Sequence, residues 1–262
     1  MSLGSKVITM KSGKDFGKME VAGRCVAAAH DAVREAARPG VTTRELDAIA
    51  AEVIRDHDCR PSFLGYHGYP ATICASPNSA IVHGIPDGYR LRSGDVISID
   101  VGAIYEGWHG DAAFTMAIGS VDPAVEELLE ATERALWNGI AQARPGNRLG
   151  DVGRAIEATA EPMGYGVVRE YIGHGIGRQM HEAPNVPNYG KPGTGMKIKP
   201  GMALAIEPMF NLGTKDTILL DDGWTVVTAD GSLSAHFEHT IAITKEGPKV
   251  LTLPEPVLVS AG

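Results

Sequence analysis

Apolar residues in the first part of the chain recur in steps of three and four, at Phe16, Met19, Ala22, Val26, Ala29 and Val33. That spacing describes one stripe of an amphipathic helix over residues 12–37, which Pro39-Gly40 stops. Thr42-Thr43-Arg44-Glu45 is a capping-box pattern, and Leu46, Ile49 and Val53 carry a second stripe that ends before Cys59-Arg60-Pro61. The period then changes from 3.6 to 2. In Arg92-Ser93-Gly94-Asp95-Val96-Ile97-Ser98-Ile99-Asp100, a basic residue and a Gly turn precede an alternating strand with a carboxylate at its end. Lys199-Pro200-Gly201-Met202-Ala203-Leu204-Ala205-Ile206-Glu207 repeats the arrangement 107 residues later.

The helical pattern repeats at nearly the same offset. Asp122-Pro123 is a helix start, and Leu128, Leu129, Ala135, Leu136 and Ile140 run a stripe to Pro145-Gly146. Ala37-Arg38-Pro39-Gly40 thus recurs as Ala143-Arg144-Pro145-Gly146, and a further helix over 151–160 follows. The order predicts one domain, 1–262, made of duplicated halves at about 12–120 and 121–253. Glu106-Gly107 reads as a hairpin turn that returns Asp111 to Asp100, with 112–118 as the next strand. Shorter strands are expected at 71–74 and near 164–171, a Gly/Pro-rich loop at 185–200, and a last strand opening on Glu238. The tail, 254–262, reads as a surface extension or a frayed end.

With 262 residues and 44% hydrophobic content, the chain can bury a large core without staples. The net charge of −8 and the lack of a Lys/Arg run argue against a nucleic-acid surface. Three cysteines, Cys25, Cys59 and Cys74, form no Cys-x-x-Cys pair and fit reduced thiols. No apolar run is long enough to span a membrane and no signal core precedes the first helix, so a cytoplasmic protein is expected.

Pairing the halves places four carboxylates in equivalent positions: Asp100 and Asp111, Glu207 and Glu238. A single acid at a strand end is usually a solvated cap, but four at repeat-equivalent positions would crowd one another and raise each other's pKa values. Divalent ions remove that conflict. Carboxylates with an imidazole suit a pair of Mn, Fe, Co or Zn ions, which points to hydrolytic chemistry. His83 and His181 share a His-x-x-Pro pattern, and His174 sits among glycines that allow close approach. His109 and His239 adjoin two of the acids and are expected to support them; His30, His57, His67 and His236 carry no signal beyond ordinary burial or exposure. The aromatic and Gly-rich stretch 61–78 reads as a packed loop or a pocket wall, and Cys74 as core or pocket lining.

Six ordered segments resemble those of type I methionine aminopeptidases: Val82-His83-Gly84-Ile85-Pro86, Ile99-Asp100-Val101-Gly102, Trp108-His109-Gly110-Asp111, Gly173-His174-Gly175-Ile176-Gly177-Arg178, Ile206-Glu207-Pro208-Met209 and Phe237-Glu238-His239-Thr240. The resemblance implies the pita-bread α+β fold, with pseudo-symmetric halves, a curved antiparallel sheet and outer helices. It implies five ligands for two divalent ions (Co, Mn, Fe or Zn): Asp100, Asp111, His174, Glu207 and Glu238, with Asp111 and Glu238 bridging. His83 and His181 would contact the scissile peptide, and Glu207 would also carry the proton. Phe63, Tyr66, Tyr69, Cys74, Met180 and Trp224 match the pocket for the methionine side chain, and Asn78 and Ser234 match a monovalent-cation site. The implied activity removes the initiator methionine from nascent proteins when the second residue is small. The implied protein is a cytoplasmic monomer that meets nascent chains at the ribosome and binds neither nucleic acid directly nor membrane.

Two other readings carry different expectations. A proline-specific Xaa-Pro peptidase of the same fold would use similar ligands, but such enzymes carry a sizeable N-terminal domain, and 82 residues precede His83 here. A metal-free pita-bread binding module would be expected to have lost ligands, whereas the set of five is complete.

Overall fold

A computed structural model describes residues 7–259. Helix α1, Gly13–Ala36, begins at Ser12, whose hydroxyl and the Asp15 carboxylate cap each other's backbone N–H groups. Helix α2, Thr43–Asp56, starts at the Thr42–Glu45 capping box read from the sequence. Strands β1 (Arg60–Pro61) and β2 (Ile73–Pro77) follow, then β3 (Ala80–Val82). The strand expected at 71–74 lies two residues further on, because Asp47 Oδ1 accepts the N–H groups of Thr72 and Ile73 and delays the ladder.

Strands β4 (Val96–Tyr105) and β5 (Trp108–Ala117) form a hairpin turned at Glu106-Gly107, where both residues have positive φ, 46° and 79°. Asp100 therefore lies in mid-strand and not at the strand's end, since pairing with β5 carries β4 on to Tyr105. Helices α3 (Pro123–Gln142, capped by Asp122) and α4 (Leu149–Ala160) come next. Only Gly166–Val167, β6, is strand within the stretch expected at 164–171; Val168 instead fills a small apolar cluster with Ile81 and Met209.

Strands β7 (Gly173–Gly175), β8 (Glu182–Val186) and β9 (Ala203–Ile206) complete the second approach to the site. β8 uses the first two residues of the expected 185–200 loop, held by pairing of Gly173 with Val186. The excursion to Phe237 holds β10 (Met209–Asn211), β11 (Thr217–Leu219), β12 (Val226–Thr228) and β13 (Ser234–His236). β14 (Glu238–Ile243) and β15 (Pro248–Val250) precede β16 (Val257–Leu258). The tail lies on the surface and forms β16, where exposed Leu258 pairs with Lys249; residues 260–262 lie outside the described range.

The main sheet runs β1-β4-β5-β14-β9-β7-β8, with β2 sharing an edge of β4 and β15 an edge of β14. Its pairs are antiparallel, and the helices cover one face, α1 on β4 and β5 and α3 on β5, β9 and β14. Period-2 alternation sorts the strands. Ile97, Ile99, Val101, Ala112, Phe114, Leu204, Ile206, Ile241 and Ile243 enter the core beneath the helices. Ser98, Asp100, Asp111, Thr115, Glu238 and Thr240 are left for the opposite, concave face. Thus the strands that build the core also deliver the acids.

The helix layer sits unusually close to the sheet at Gly23 of α1 and Gly110 of β5. A Cβ on Gly110 would stand 2.8 Å from the Gly23 nitrogen, and one on Gly23 would stand 2.2 Å from the Leu251 carbonyl oxygen. Gly23→Ala is therefore expected to lower stability by about 1–3 kcal/mol through overpacking. Chemical denaturation measures it, and an unchanged midpoint would contradict this close seating. Among the described residues no helix is long and apolar enough to cross a membrane.

Candidate active site

Adjacent strands bring the acids together across the concave face. Asp100 pairs with Ala113 and Asp111 with Gly102, so the two carboxylates lie diagonally on one hairpin. β14 pairs with β5 through Glu238–Ala113, and β9 lies on its other side through His239–Ile206. Glu207 immediately follows β9, and His174 faces Ala205 across the β7–β9 pair. Small neighbours at Gly102, Ala113 and Ala205 leave room for the larger polar groups. Thr240 fixes the centre: its hydroxyl donates to the Asp111 carbonyl and accepts the Asp111 N–H.

Asp111, His174 and Glu238 offer ligand atoms within 4.8 Å of one another. Glu207 Oε1 is 3.6 Å and Asp111 Oδ2 3.9 Å from His174 Nε2. Asp100 touches Asp111 side chain to side chain. All five residues singled out as ligands from the sequence therefore converge. Burial pushes the Asp100 carboxyl up to about 7, and burial with the Asp100 charge pushes Glu207 up to about 8. Asp111 and Glu238 are raised well above the ordinary carboxylate range, by burial first and then by their acidic neighbours.

The donor set fits divalent cations. Asp100 Oδ1, Asp111 Oδ1 and Glu238 Oε1 are buried with no hydrogen-bond partner in the protein, a costly arrangement unless a cation satisfies them. His174 is ready as a ligand, because Nδ1 donates to the Gly175 carbonyl at 2.8 Å and leaves Nε2 unprotonated toward the acids. Burial holds its pKa down to about 3, so the ring is neutral. Four carboxylates and one imidazole, without thiolate, suit hard or borderline ions.

Two further histidines flank this centre. His181 lies with its ring 4.2 Å from that of His174 and its Nδ1 2.8 Å from Tyr66 Oη. His83 follows β3 in a left-handed conformation, φ 60°, which a non-glycine residue adopts only when its surroundings impose it. Gly84 supplies that constraint: its N–H donates to Ser76 Oγ, its carbonyl accepts the Ala75 N–H, and a Cβ there would stand 2.4 Å from the Ala75 oxygen. Burial holds both His83 and His181 down to about 4, so both are neutral at physiological pH.

Side chains from the stretch 61–78 pack into one apolar cluster. Phe63, Tyr69, Cys74 and Met180 are buried in one cluster with Tyr66 and Trp224 partly open beside them. Tyr69 meets Phe63 and Trp224 edge to face at 6.5 and 5.1 Å, and its hydroxyl donates to the carbonyls of Ile73 and Gly84. Cys74 pairs with Asp100 across the β2–β4 ladder, which places this cluster next to the acids. Ile85 packs against the cluster and Tyr171 lies against His83; neither stood out in the sequence, where a lone apolar or aromatic residue in a loop has no periodicity to mark it.

His109 Nδ1 lies 2.9 Å from Ser62 Oγ, and His239 Nδ1 2.8 Å from Thr252 Oγ1, so both serve the scaffold around the acids. His57 and His67 are exposed and His30 is buried against Phe114. His236 is buried with neither ring nitrogen partnered by the protein, a feature its sequence context did not signal. The Asn78 carbonyl accepts the Ser234 N–H at 3.1 Å, which brings those two residues together.

Comparison with known proteins agrees with this architecture. The sequence profile of metallopeptidase family M24 matches residues 17–245. Methionine aminopeptidase 1 of Mycobacterium tuberculosis is 52% identical over 257 residues, covering 95% of this chain and 97% of that protein. The crystal structure of methionine aminopeptidase from Thermotoga maritima superposes with a TM-score of 0.93 at 44% identity, covering 94% of this chain and all of that one. A prolidase from Pyrococcus furiosus shares the fold at 24% identity, with a TM-score of 0.77 and 66% of its chain matched. On fold, profile and near full-length relatives, the chain belongs to metallopeptidase family M24 and groups within it with the methionine aminopeptidases.

Proposed function

We propose that this chain is a metal-dependent methionyl aminopeptidase that removes the initiator methionine from nascent proteins whose second residue is small. The observation that carries the reading is the convergence of four carboxylates and a neutral imidazole, with Asp111, His174 and Glu238 buried among them, next to a cluster of aromatic and sulfur side chains that meets them through the Cys74–Asp100 strand pair. Asp100, Asp111, His174, Glu207 and Glu238 would hold two divalent ions of the Co, Mn, Fe or Zn kind. Divalent ions bound there would polarise a peptide carbonyl and lower the pKa of a water so that it can act as a nucleophile near neutral pH.

The chain's own residues position the substrate and move the proton. Phe63, Tyr66, Tyr69, Cys74, Met180 and Trp224 receive the methionine side chain, whose polarisable sulfur gains from contact with aromatic edges. His83 and His181, both neutral, hold the scissile peptide by hydrogen bonds. Glu207 accepts a proton from water as its oxygen attacks the carbonyl carbon. It then returns the proton to the departing amine nitrogen as the C–N bond breaks. Asn78 and Ser234 would hold a monovalent cation at the edge of the site. The halves 12–120 and 121–253 each contribute two acids, with His174 supplied only by the second. The setting that matches this activity is the cytoplasm, where a monomer would meet nascent N-termini at the ribosome.

A panel of Met-Xaa-Ser peptides tests the substrate rule. Free methionine should appear when Xaa is Gly, Ala or Ser and fall by at least about tenfold when Xaa is Lys or Leu, since a bulky second residue must displace the packed histidines. Equal release across the panel would contradict it.

A further inference from the structure

We infer that Glu182, held by Lys11 of the N-terminal arm, is a positioning residue that sets His181 in the site. The loop between β7 and β8 carries both His181 and Met180, yet few backbone bonds hold it. Gly177 donates to the Gln179 carbonyl at 3.1 Å, and the Gly177 carbonyl accepts the His109 N–H at 2.9 Å. Glu182 closes the loop from its far end. Its Oε1 accepts the N–H groups of Arg178 and Gln179 at 2.9 and 3.1 Å. Its Oε2 accepts from Lys11 Nζ at 2.7 Å and from the Thr9 hydroxyl.

The arm is itself fixed. Lys11 donates its backbone N–H to Gly201 at 2.7 Å, just ahead of β9, and its ammonium also reaches Thr9 Oγ1 and the Thr9 carbonyl at 2.7 and 3.1 Å. The paired side chains are only 2% and 8% exposed. At Gly177, where the arm crosses the loop, a Cβ would stand 2.6 Å from Lys11 Cε and 2.8 Å from Glu182 Oε1. The result is a loop tied from outside the domain's repeat pattern, across 171 residues of sequence.

Burying an ion pair is an inefficient way to add stability, because desolvation offsets most of the attraction and an apolar pair of similar volume would serve as well. What the pair adds is direction. Glu182 accepts four donors at once, and that fixes the backbone immediately after His181. The imidazole is thereby held between Tyr66 Oη at 2.8 Å and the His174 ring at 4.2 Å. Displacement of a substrate-holding group by about 1 Å can cost about 100-fold in rate. The inference rests on the reading that His181 contacts the substrate.

The test uses the full-length, metal-loaded protein and the peptide Met-Ala-Ser. Glu182→Gln and Lys11→Met should each lower kcat by about 10- to 100-fold with a smaller change in KM. Lys11→Arg should recover most of the loss. Thr9→Val, which removes one exposed donor and keeps the fold, should give a smaller loss in the same direction. In a His181→Ala background, adding Glu182→Gln or Thr9→Val should change kcat by less than about twofold, because the pair then has nothing left to position. The nitrogen resonances of the His181 ring should shift in the Glu182 and Thr9 variants. Wild-type kcat in the folded variants, an unmoved His181 resonance, or the full loss persisting in the His181→Ala background would each overturn the inference. Wild-type turnover by His181→Ala alone would refute the role given to His181 itself.

Discussion

Replacing Glu207 by Gln is expected to lower kcat on Met-Ala-Ser by about 10²–10⁴-fold, the range contributed by positioned general acids and bases. Gln keeps the shape and one ligating oxygen but cannot hold a proton in transit. The side chain stands at the rim of the acid cluster, 3.6 Å from His174 Nε2, where burial and the Asp100 charge raise its pKa to about 8. Its backbone is fixed independently, since Asn188 Nδ2 donates to the Glu207 carbonyl at 3.0 Å. The variant should therefore fold with normal ellipticity and retain divalent metal. A metal-loaded Glu207→Gln protein with kcat near the native value would remove Glu207 from the proton path.

Chelation is expected to have a comparably large effect on turnover, about 10³-fold or more, because the carbonyl and the attacking water lose several kcal/mol of activation. It should also reverse the pH dependence of stability. In the metal-free chain, burial raises Asp100 to about 7, burial with the Asp100 charge raises Glu207 to about 8, and burial with acidic neighbours raises Asp111 and Glu238 well above the ordinary carboxylate range. Acids raised in this way bind protons more tightly folded than unfolded. Their contribution is fully present below the unfolded value of about 4 and is lost as pH rises through the folded values. The thermal midpoint of chelated protein should thus fall between about pH 5 and pH 8, by about 2–4 °C for each kcal/mol lost. Metal-loaded protein should gain over the same interval, because deprotonated carboxylates are the ligands. A midpoint that rises with pH under chelation would show that the acids are not crowded as described.

Much of this site could be read from the chain because its acids sit on strands. Alternation fixes which face Asp100 and Asp111 share once the Glu106-Gly107 turn is recognised, and the repeat places Glu207 and Glu238 beside them. Capping residues were equally legible, as at Thr42–Glu45 and Asp122, because their chemistry is local. The misses are non-local. Asp100 lies mid-strand because its partner strand extends the ladder, which no residue after Asp100 signals. β16 is a two-residue exposed strand defined only by pairing with β15. The Lys11–Glu182 pair joins an arm to a loop far along the chain, and nothing near either residue announces the other. His236 looks ordinary in sequence, and only its enclosure makes its unpartnered ring nitrogens notable.

The most direct measurement is release of free methionine from Met-Ala-Ser by the full-length, Mn- or Co-loaded protein, run beside an Xaa-Pro peptide and a chelated control. The account predicts methionine release from Met-Ala-Ser, loss of that release on chelation, and no turnover of the Xaa-Pro peptide. A folded, metal-loaded sample that leaves Met-Ala-Ser intact while cleaving the Xaa-Pro peptide would contradict it.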